Sequence, residues 1–299
     1  MKIIKLKAGL GNMMFQYALG RMLEKAYGIK DIVFDTSYYS FAKYSNILER
    51  FNSFNVKYVT ASKKELTKSL LLKRFFTPKP YTFLFRATVA FESTFNKKYF
   101  LEKNHVFIKP DTLLKYQYID GYWQSWKYVD CIRDLLIEDF KPKNIENGIY
   151  QMLLSDIQKS NAVALCIRKG DYLSSNRTKS RFYNCSIEYY QRAIEYISLN
   201  VEKPVFYVFT NDERWVKENV CFPKGVSFVF RKNDEILPDF LELQLIASCK
   251  HFIISNSTFH WWGAWLSEND EKIIIRPKLW FSDGTEIDIY PPSWVNLNL

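Results

Sequence analysis

Ala162-Val163-Ala164-Leu165-Cys166-Ile167-Arg168-Lys169-Gly170-Asp171-Tyr172 is the stretch on which the fold turns. Residues 162–167 are apolar without strict alternation, the pattern of a strand covered on both faces. The apolar run stops at two cations, a glycine and a carboxylate. In open α/β sheets ligands bind outside the carboxyl ends of the strands. An arginine at such a tip suits a phosphate, because its planar fork can donate two parallel hydrogen bonds. A surface turn closed by an Arg168–Asp171 ion pair is the plainer alternative. The surrounding chain weighs between the two.

Downstream, strand and helix patterns alternate. A helix over 186–200 precedes a strand over 205–209 that ends in Thr210-Asn211-Asp212. A helix over 213–219, a strand over 227–230 and a helix over 238–248 follow. A strand over 251–255 ends in Asn256-Ser257-Thr258, which opens a further helix, and a last strand spans 272–276. Alternating β and α units predict a parallel, right-handed sheet. Three of its strands end in polar tips, which favours a nucleotide site over solvated turns, and Ser257 and Thr258 open a helix whose free N–H groups can grip phosphate.

Upstream, a strand at 2–6 leads into Ala8-Gly9-Leu10-Gly11-Asn12, a helix over 12–27 and a strand ending at Asp35. This is a partial dinucleotide fingerprint, with Met14 where the third glycine belongs. Residues 57–104 are rich in lysine and in apolar groups. They predict helices broken near Pro78 and Pro80, either packed on their own domain, which we favour, or resting on an anionic membrane. Tyr122, Trp123 and Gln124 follow a strand; aromatics beside amides fit a sugar, or a packed domain seam, equally well. A helical stretch over 127–136 and a polar linker over 141–147 complete this half, before a helix over 149–159.

The chain has 299 residues, enough for two domains, and 47% of them are hydrophobic. A formal net charge of +10 points to an acidic partner. The five cysteines are scattered without a CxxC pair, which favours reduced thiols in a cytoplasmic setting. Three histidines make a histidine-based metal centre improbable, and no two aspartates lie two apart to clamp a metal-bound diphosphate. No basic leader precedes a long apolar run and no apolar run reaches membrane-spanning length, so neither secretion nor a membrane span is predicted.

Gly9 to Tyr17, Asp120 to Ser125, Cys166 to Tyr172, Phe209 to Asp212 and Asn256 to Trp265, in that order, resemble the motifs of the α-1,2-fucosyltransferases of glycosyltransferase family 11. The resemblance covers nearly the whole chain and is weakest over 57–104. It implies an α/β fold of two Rossmann-like domains facing a cleft, the GT-B architecture. Residues 1–147 would form the acceptor-side domain, with a basic helical insertion near 57–104, and residues 148–299 the domain that binds the GDP-sugar donor. It further implies inverting, metal-independent transfer of fucose from GDP-β-L-fucose to the 2-hydroxyl of a terminal galactose or similar sugar in a surface glycan. GDP-fucose and a galactose-containing oligosaccharide would be the partners, with no cofactor and no nucleic acid.

On that resemblance Arg168 matches a diphosphate arginine, Gly11 and Asn12 a loop facing the donor, Asn256, Ser257 and Thr258 a phosphate-side loop, and Asp212 an acid for guanine. Tyr122, Trp123 and Gln124 are the acceptor candidates. Asp171 is the first candidate for general base, with orientation of Arg168 as its alternative role. The family usually carries His-x-Arg-x-Gly-Asp; Cys166 replaces that histidine, and we expect it to face the nucleotide side. His260 stands where serine is common. The predicted location is cytoplasmic, with peripheral contact to the inner face of an anionic membrane left open. Two rival readings remain: a nicotinamide-dependent oxidoreductase using Gly9, Gly11 and Asp35, and a basic nucleic-acid-binding protein whose aromatics lie on its charged face.

Overall fold

The computed structural model describes residues 1–72, 82–169, 182–224, 227–230 and 237–297, leaving aside the side chains of 42–44 and 227–230. Gly170, Asp171 and the break expected near Pro78 and Pro80 lie outside those residues. The chain divides into two compact units: Met1–Lys143 with Ile287–Ile289, and Asn144–Glu286 with Tyr290–Leu299.

In the first unit β1 (Lys2–Lys5) leads to α1 (Leu10–Tyr27), β2 (Ile32–Asp35), α2 (Ala42–Asn52), α3 (Lys63–Ser69), α4 (Phe83–Phe95), β3 (Tyr99–Leu101), the single turn α5 (Pro110–Leu113) and β4 (Tyr118–Asp120). The short helices α6 (Trp126–Val129) and α7 (Arg133–Asp139) replace the one helix expected over 127–136, interrupted by a 3-10 turn. The four strands pair in parallel in the order β2-β1-β4-β3. The stretch 57–104 is therefore more than an inserted helical pair, because its end supplies the edge strand β3. Three apolar residues between Lys97-Lys98 and Glu102-Lys103 carry too little period to announce a strand.

In the second unit α8 (Gly148–Gln158) precedes β5 (Asn161–Ile167), α9 (Ile187–Asn200), β6 (Pro204–Thr210), α10 (Glu213–Asn219), β7 (Ser227–Phe230), α11 (Asp239–Ala247), β8 (His251–Ile253), α12 (Thr258–Leu266), β9 (Ile274–Arg276) and β10 (Val295–Asn296). The sheet runs β7-β6-β5-β8-β9-β10, every pair parallel. Counted from β5, that is the doubly wound order 3-2-1-4-5-6, whose direction reverses between β5 and β8.

Alternation along β5 explains its two-sided burial. Val163, Leu165 and Ile167 pack with Tyr189, Tyr190, Ile194 and Ile197 of α9. On the other side of the sheet α8 meets β5, and α11 meets α8 and α12. Gly263 lets α12 lie close on α11: a Cβ there would sit 2.4 Å from Ile246 Cγ2. Trp261, Trp262 and Trp265 are buried, with Trp261 stacked on Trp265 at 5.9 Å and 13°. The tryptophans of this motif are core, and each fully buried large side chain contributes about 1.5–3 kcal/mol. No described helix is long and apolar enough to cross a membrane.

Candidate active site

The second unit assembles its polar tips at the reversal point of the sheet. Arg168 leaves β5 and its Nη1 donates to Ser257 Oγ at 3.2 Å, joining the tips of β5 and β8. Ser257 occupies the N-cap position of α12 in extended conformation, yet its side chain makes no capping bond. It therefore meets the arginine while the first-turn N–H groups of α12 stay oriented toward the same edge. The backbone N–H of Lys169 donates to Asn211 Oδ1 at 2.9 Å, which ties the β5 tip to the β6 tip as well.

The two cations at the tip have different parts. Lys169 is buried: its Nζ donates to Asn184 Oδ1 at 3.0 Å and to the Cys185 carbonyl at 2.6 Å, and lies 4.2 Å from the centroid of Trp215. Burial lowers its pKa, against a smaller upward effect of Cys185. Lys169 anchors the tip from below, whereas the half-buried Arg168 lies at the rim. Asp212 accepts from Trp215 N at 2.9 Å with Oδ1 and so caps α10. Asn256 is buried and donates through Nδ2 to the Trp280 carbonyl at 3.2 Å; Thr258 is half-buried at the start of α12. His260 lies buried with Nδ1 2.7 Å from Ser255 Oγ, an internal contact beneath the loop.

Cys166 lies elsewhere than the sequence reading places it. Its neighbour Ile167 joins the α9 core, and Cys166, on the opposite face of β5, is fully buried. Burial first, then Cys249 and Glu242, push its thiol well above the usual range. Cys166 is thus a small core residue rather than a nucleotide contact. Cys166→His should lower stability by about 1–3 kcal/mol, because an imidazole exceeds the space of the thiol. A thermal melt checks it; an unchanged melting temperature would return Cys166 to the ligand side.

In the first unit a second polar cluster forms where β1 and β4 adjoin. Asp120 closes β4, and its carboxylate binds Lys5 Nζ at 3.0 Å, Lys7 Nζ, and the Tyr99 hydroxyl at 2.6 Å. Burial pushes the Asp120 pKa up, but Lys5 and Lys7 outweigh it and hold the group ionised well below the usual carboxylate range. Gln16, fully buried on α1, accepts from Lys7 N at 2.8 Å and donates to the Gly121 carbonyl at 3.3 Å. Gln124 Nε2 donates to Asn12 Oδ1 at 2.6 Å, so the first turn of α1, which holds Gly11 and Asn12, is tied to the turn after β4.

Glu102, just past β3, accepts from the backbone N–H of Tyr122 and of Trp123. Burial raises its pKa, opposed by those two N–H groups and by Lys7. A Cβ on Gly121 would meet Glu102 Cβ and the Trp123 ring at 2.6 Å, so only glycine allows this turn. Trp123 itself has φ +59 and is fully buried against Phe100 and Tyr128. Half-buried Tyr122 lies under Lys7, whose Nζ is 4.6 Å from its ring centroid. Sequence reasoning missed Glu102, Lys7, Gln16 and Lys169. For Glu102 the signal existed: an acid directly after an apolar run, the same strand-tip pattern that marks Arg168.

The rival readings do not survive this geometry. Asp35 is 1% exposed, with Oδ1 accepting from Ser37 N and Oδ2 from the Tyr118 hydroxyl, so it offers nothing to a ribose. None of the eight tryptophans is exposed, so none of them offers a stacking surface to a nucleic acid.

Comparison with known proteins adds the following. The family described as Glycosyl transferase family 11 matches residues 1–298. The O-antigen biosynthesis glycosyltransferase WbnK of Escherichia coli is 30% identical over 98% of this chain and 99% of its own. An alpha-1,2-colitosyltransferase of Escherichia coli is 30% identical over 99% of this chain and 98% of its own. A galactoside alpha-(1,2)-fucosyltransferase 1 from Leontopithecus chrysomelas is 24% identical over 60% of this chain and 52% of its own.

Proposed function

The chain belongs to glycosyltransferase family 11, and from that premise we propose that it transfers L-fucose from GDP-β-L-fucose to the 2-hydroxyl of a terminal galactose or similar sugar, with inversion to an α-1,2 linkage. The observation that carries this reading is the Arg168–Ser257 pair at the reversal point of a 3-2-1-4-5-6 sheet. As the bond from the fucose anomeric carbon to the diphosphate oxygen breaks, its electron pair passes to GDP. The Arg168 fork and the N–H groups opening α12 stabilise that charge where it grows. The acceptor oxygen attacks the opposite face of the anomeric carbon and gives its proton to a base, for which Asp171 is the proposal.

Ser257 holds Arg168, Thr258 and Asn256 shape the phosphate-side loop, and Asp212 is assigned to guanine. Gly11 and Asn12 are assigned to the donor, Tyr122 and Gln124 to the acceptor, and Trp123 supports that turn from inside the core. The sequence holds no Asp-x-Asp clamp, and the cations of the chain take that role.

A second reading, a colitose donor, is favoured by one specific observation, the 30% identity to an alpha-1,2-colitosyltransferase. Colitose is fucose without its 3-hydroxyl, so the two donors present the same diphosphate to Arg168. The test is a galactoside screen with GDP-fucose in EDTA, product linkage being read by NMR, against a parallel assay with GDP-colitose. An α-1,2-fucosylated galactoside formed at undiminished rate is the expected result. Loss of activity on chelation, restored by manganese, would count against the metal-free mechanism, and a strong preference for GDP-colitose would reassign the donor.

A further inference from the structure

Helix α4 carries a buried carboxylate on its inward side, beside the half-buried Phe85 and Val89. Glu92 is buried, its Oε1 accepting from Leu72 N and its Oε2 from Asn96 Nδ2, both at 2.8 Å. Asn96, just past the helix, donates to the Ser69 carbonyl at 2.8 Å. At 3.6 residues per turn Phe83, Leu84, Ala87, Phe91 and Phe95 fall on one continuous side running from beside Glu92 to opposite it, and all five are exposed. Their exposures of 86%, 51%, 38% and 64% for Phe83, Leu84, Phe91 and Phe95 exceed what solvation of single apolar residues explains. Thr94 interrupts the stripe, but its hydroxyl donates to the Ala90 carbonyl at 2.9 Å. A buried carboxylate with two fixed partners holds this orientation, so the apolar face does not turn inward.

The charge around that face has one sign. From Thr82 to Lys98 the exposed charged residues are Arg86, Lys97 and Lys98, and Glu92 is the single acid. Lys68 is exposed beside Ser69, the partner of Asn96. We infer that the outward face of α4 docks on an anionic membrane surface, its phenylalanines entering the headgroup boundary and its cations meeting lipid phosphates. A two-fold dimer through the same face would gather two sets of Arg86, Lys97 and Lys98 at one interface with Glu92 buried and no other acid on the helix, which disfavours a second chain as the occupant. The helix spans about 20 Å, too short to cross a bilayer, so it lies along the surface.

This inference goes beyond the proposed reaction, and its test needs no donor. The full chain is co-sedimented with phosphatidylcholine vesicles with and without phosphatidylglycerol. Binding is expected with the anionic vesicles and should fall as salt rises. Phe91→Ser/Phe95→Ser should weaken it by about tenfold or more, and Lys97→Gln/Lys98→Gln should reduce its salt dependence. Melting temperature and fucosyl transfer to a soluble acceptor should not change. Phe83→Ser serves as an independent variant should the double one fold poorly. No binding to anionic vesicles, or binding indifferent to these variants, would overturn the inference. So would self-association in sedimentation equilibrium that the phenylalanine variant abolishes, since the face would then belong to a second copy.

Discussion

Arg168→Lys should reduce turnover with GDP-fucose by about two to three orders of magnitude, the usual consequence of removing one preorganised donor from developing charge. Lysine keeps the positive charge but is a point donor on a flexible stem, and it loses the parallel fork that spans two phosphate oxygens. It also loses the contact from Nη1 to Ser257 that fixes the guanidinium at the sheet edge. The fold should be indifferent, because Arg168 is half-buried at the rim while Lys169 makes the internal bonds of the tip. Single-turnover rates and GDP calorimetry measure the loss, with a melt as the control. Ser257→Ala should cost less, about two- to tenfold, since it removes one neutral partner of the arginine. Near-normal turnover by a folded Arg168→Lys protein would remove the arginine from the diphosphate.

The strand-tip rule made Arg168, Asn211 and Ser257 legible in the sequence, because each follows an apolar run long enough to identify as a strand. Alternation of strands and helices likewise gave two parallel α/β units. Composition could not separate aromatic residues that fill cores from those that face ligands. Trp123 therefore suited a sugar and a packed seam equally well, and it is buried. Cys166 was misplaced for a related reason. In a strand covered on both sides the two faces are equally apolar, and nothing local says which one lies under α11. Lys7 and Gln16 were invisible because their partners are distant in sequence: Lys7 meets Asp120 across 113 residues, and Gln16 meets Gly121 across 105. Which side of α4 faces in was equally hidden, since apolar residues lie all round it and one buried carboxylate fixes its orientation.

Asp120→Asn should be the most destabilising single change in the first unit. The side chain of Asp120 is 1% exposed and those of Lys5 and Lys7 are 11% and 14% exposed, so the charges are largely withdrawn from water. Removing the carboxylate leaves Lys5 without its ion-pair partner and Lys7 with only Glu102 as a carboxylate neighbour, and breaking such a buried set costs about 3–5 kcal/mol. The same logic fixes the pH dependence. The folded pKa of Asp120 lies below its unfolded value, so its stabilisation is complete above the unfolded pKa of about 3.9 and is lost as pH falls from there toward the depressed folded value. The asparagine variant should therefore lose stability at neutral pH and show a flatter acid limb than the parent, measurable by urea titration at several pH values. Lys5→Met/Lys7→Met/Asp120→Leu should recover much of the loss, because an apolar trio needs no counter-charges. Yet it should not restore transfer, since Lys7→Met removes the ammonium that lies over the Tyr122 ring, a proposed acceptor contact. Stability and activity would then separate at one cluster, and an equal recovery of both would show that these charges serve folding alone.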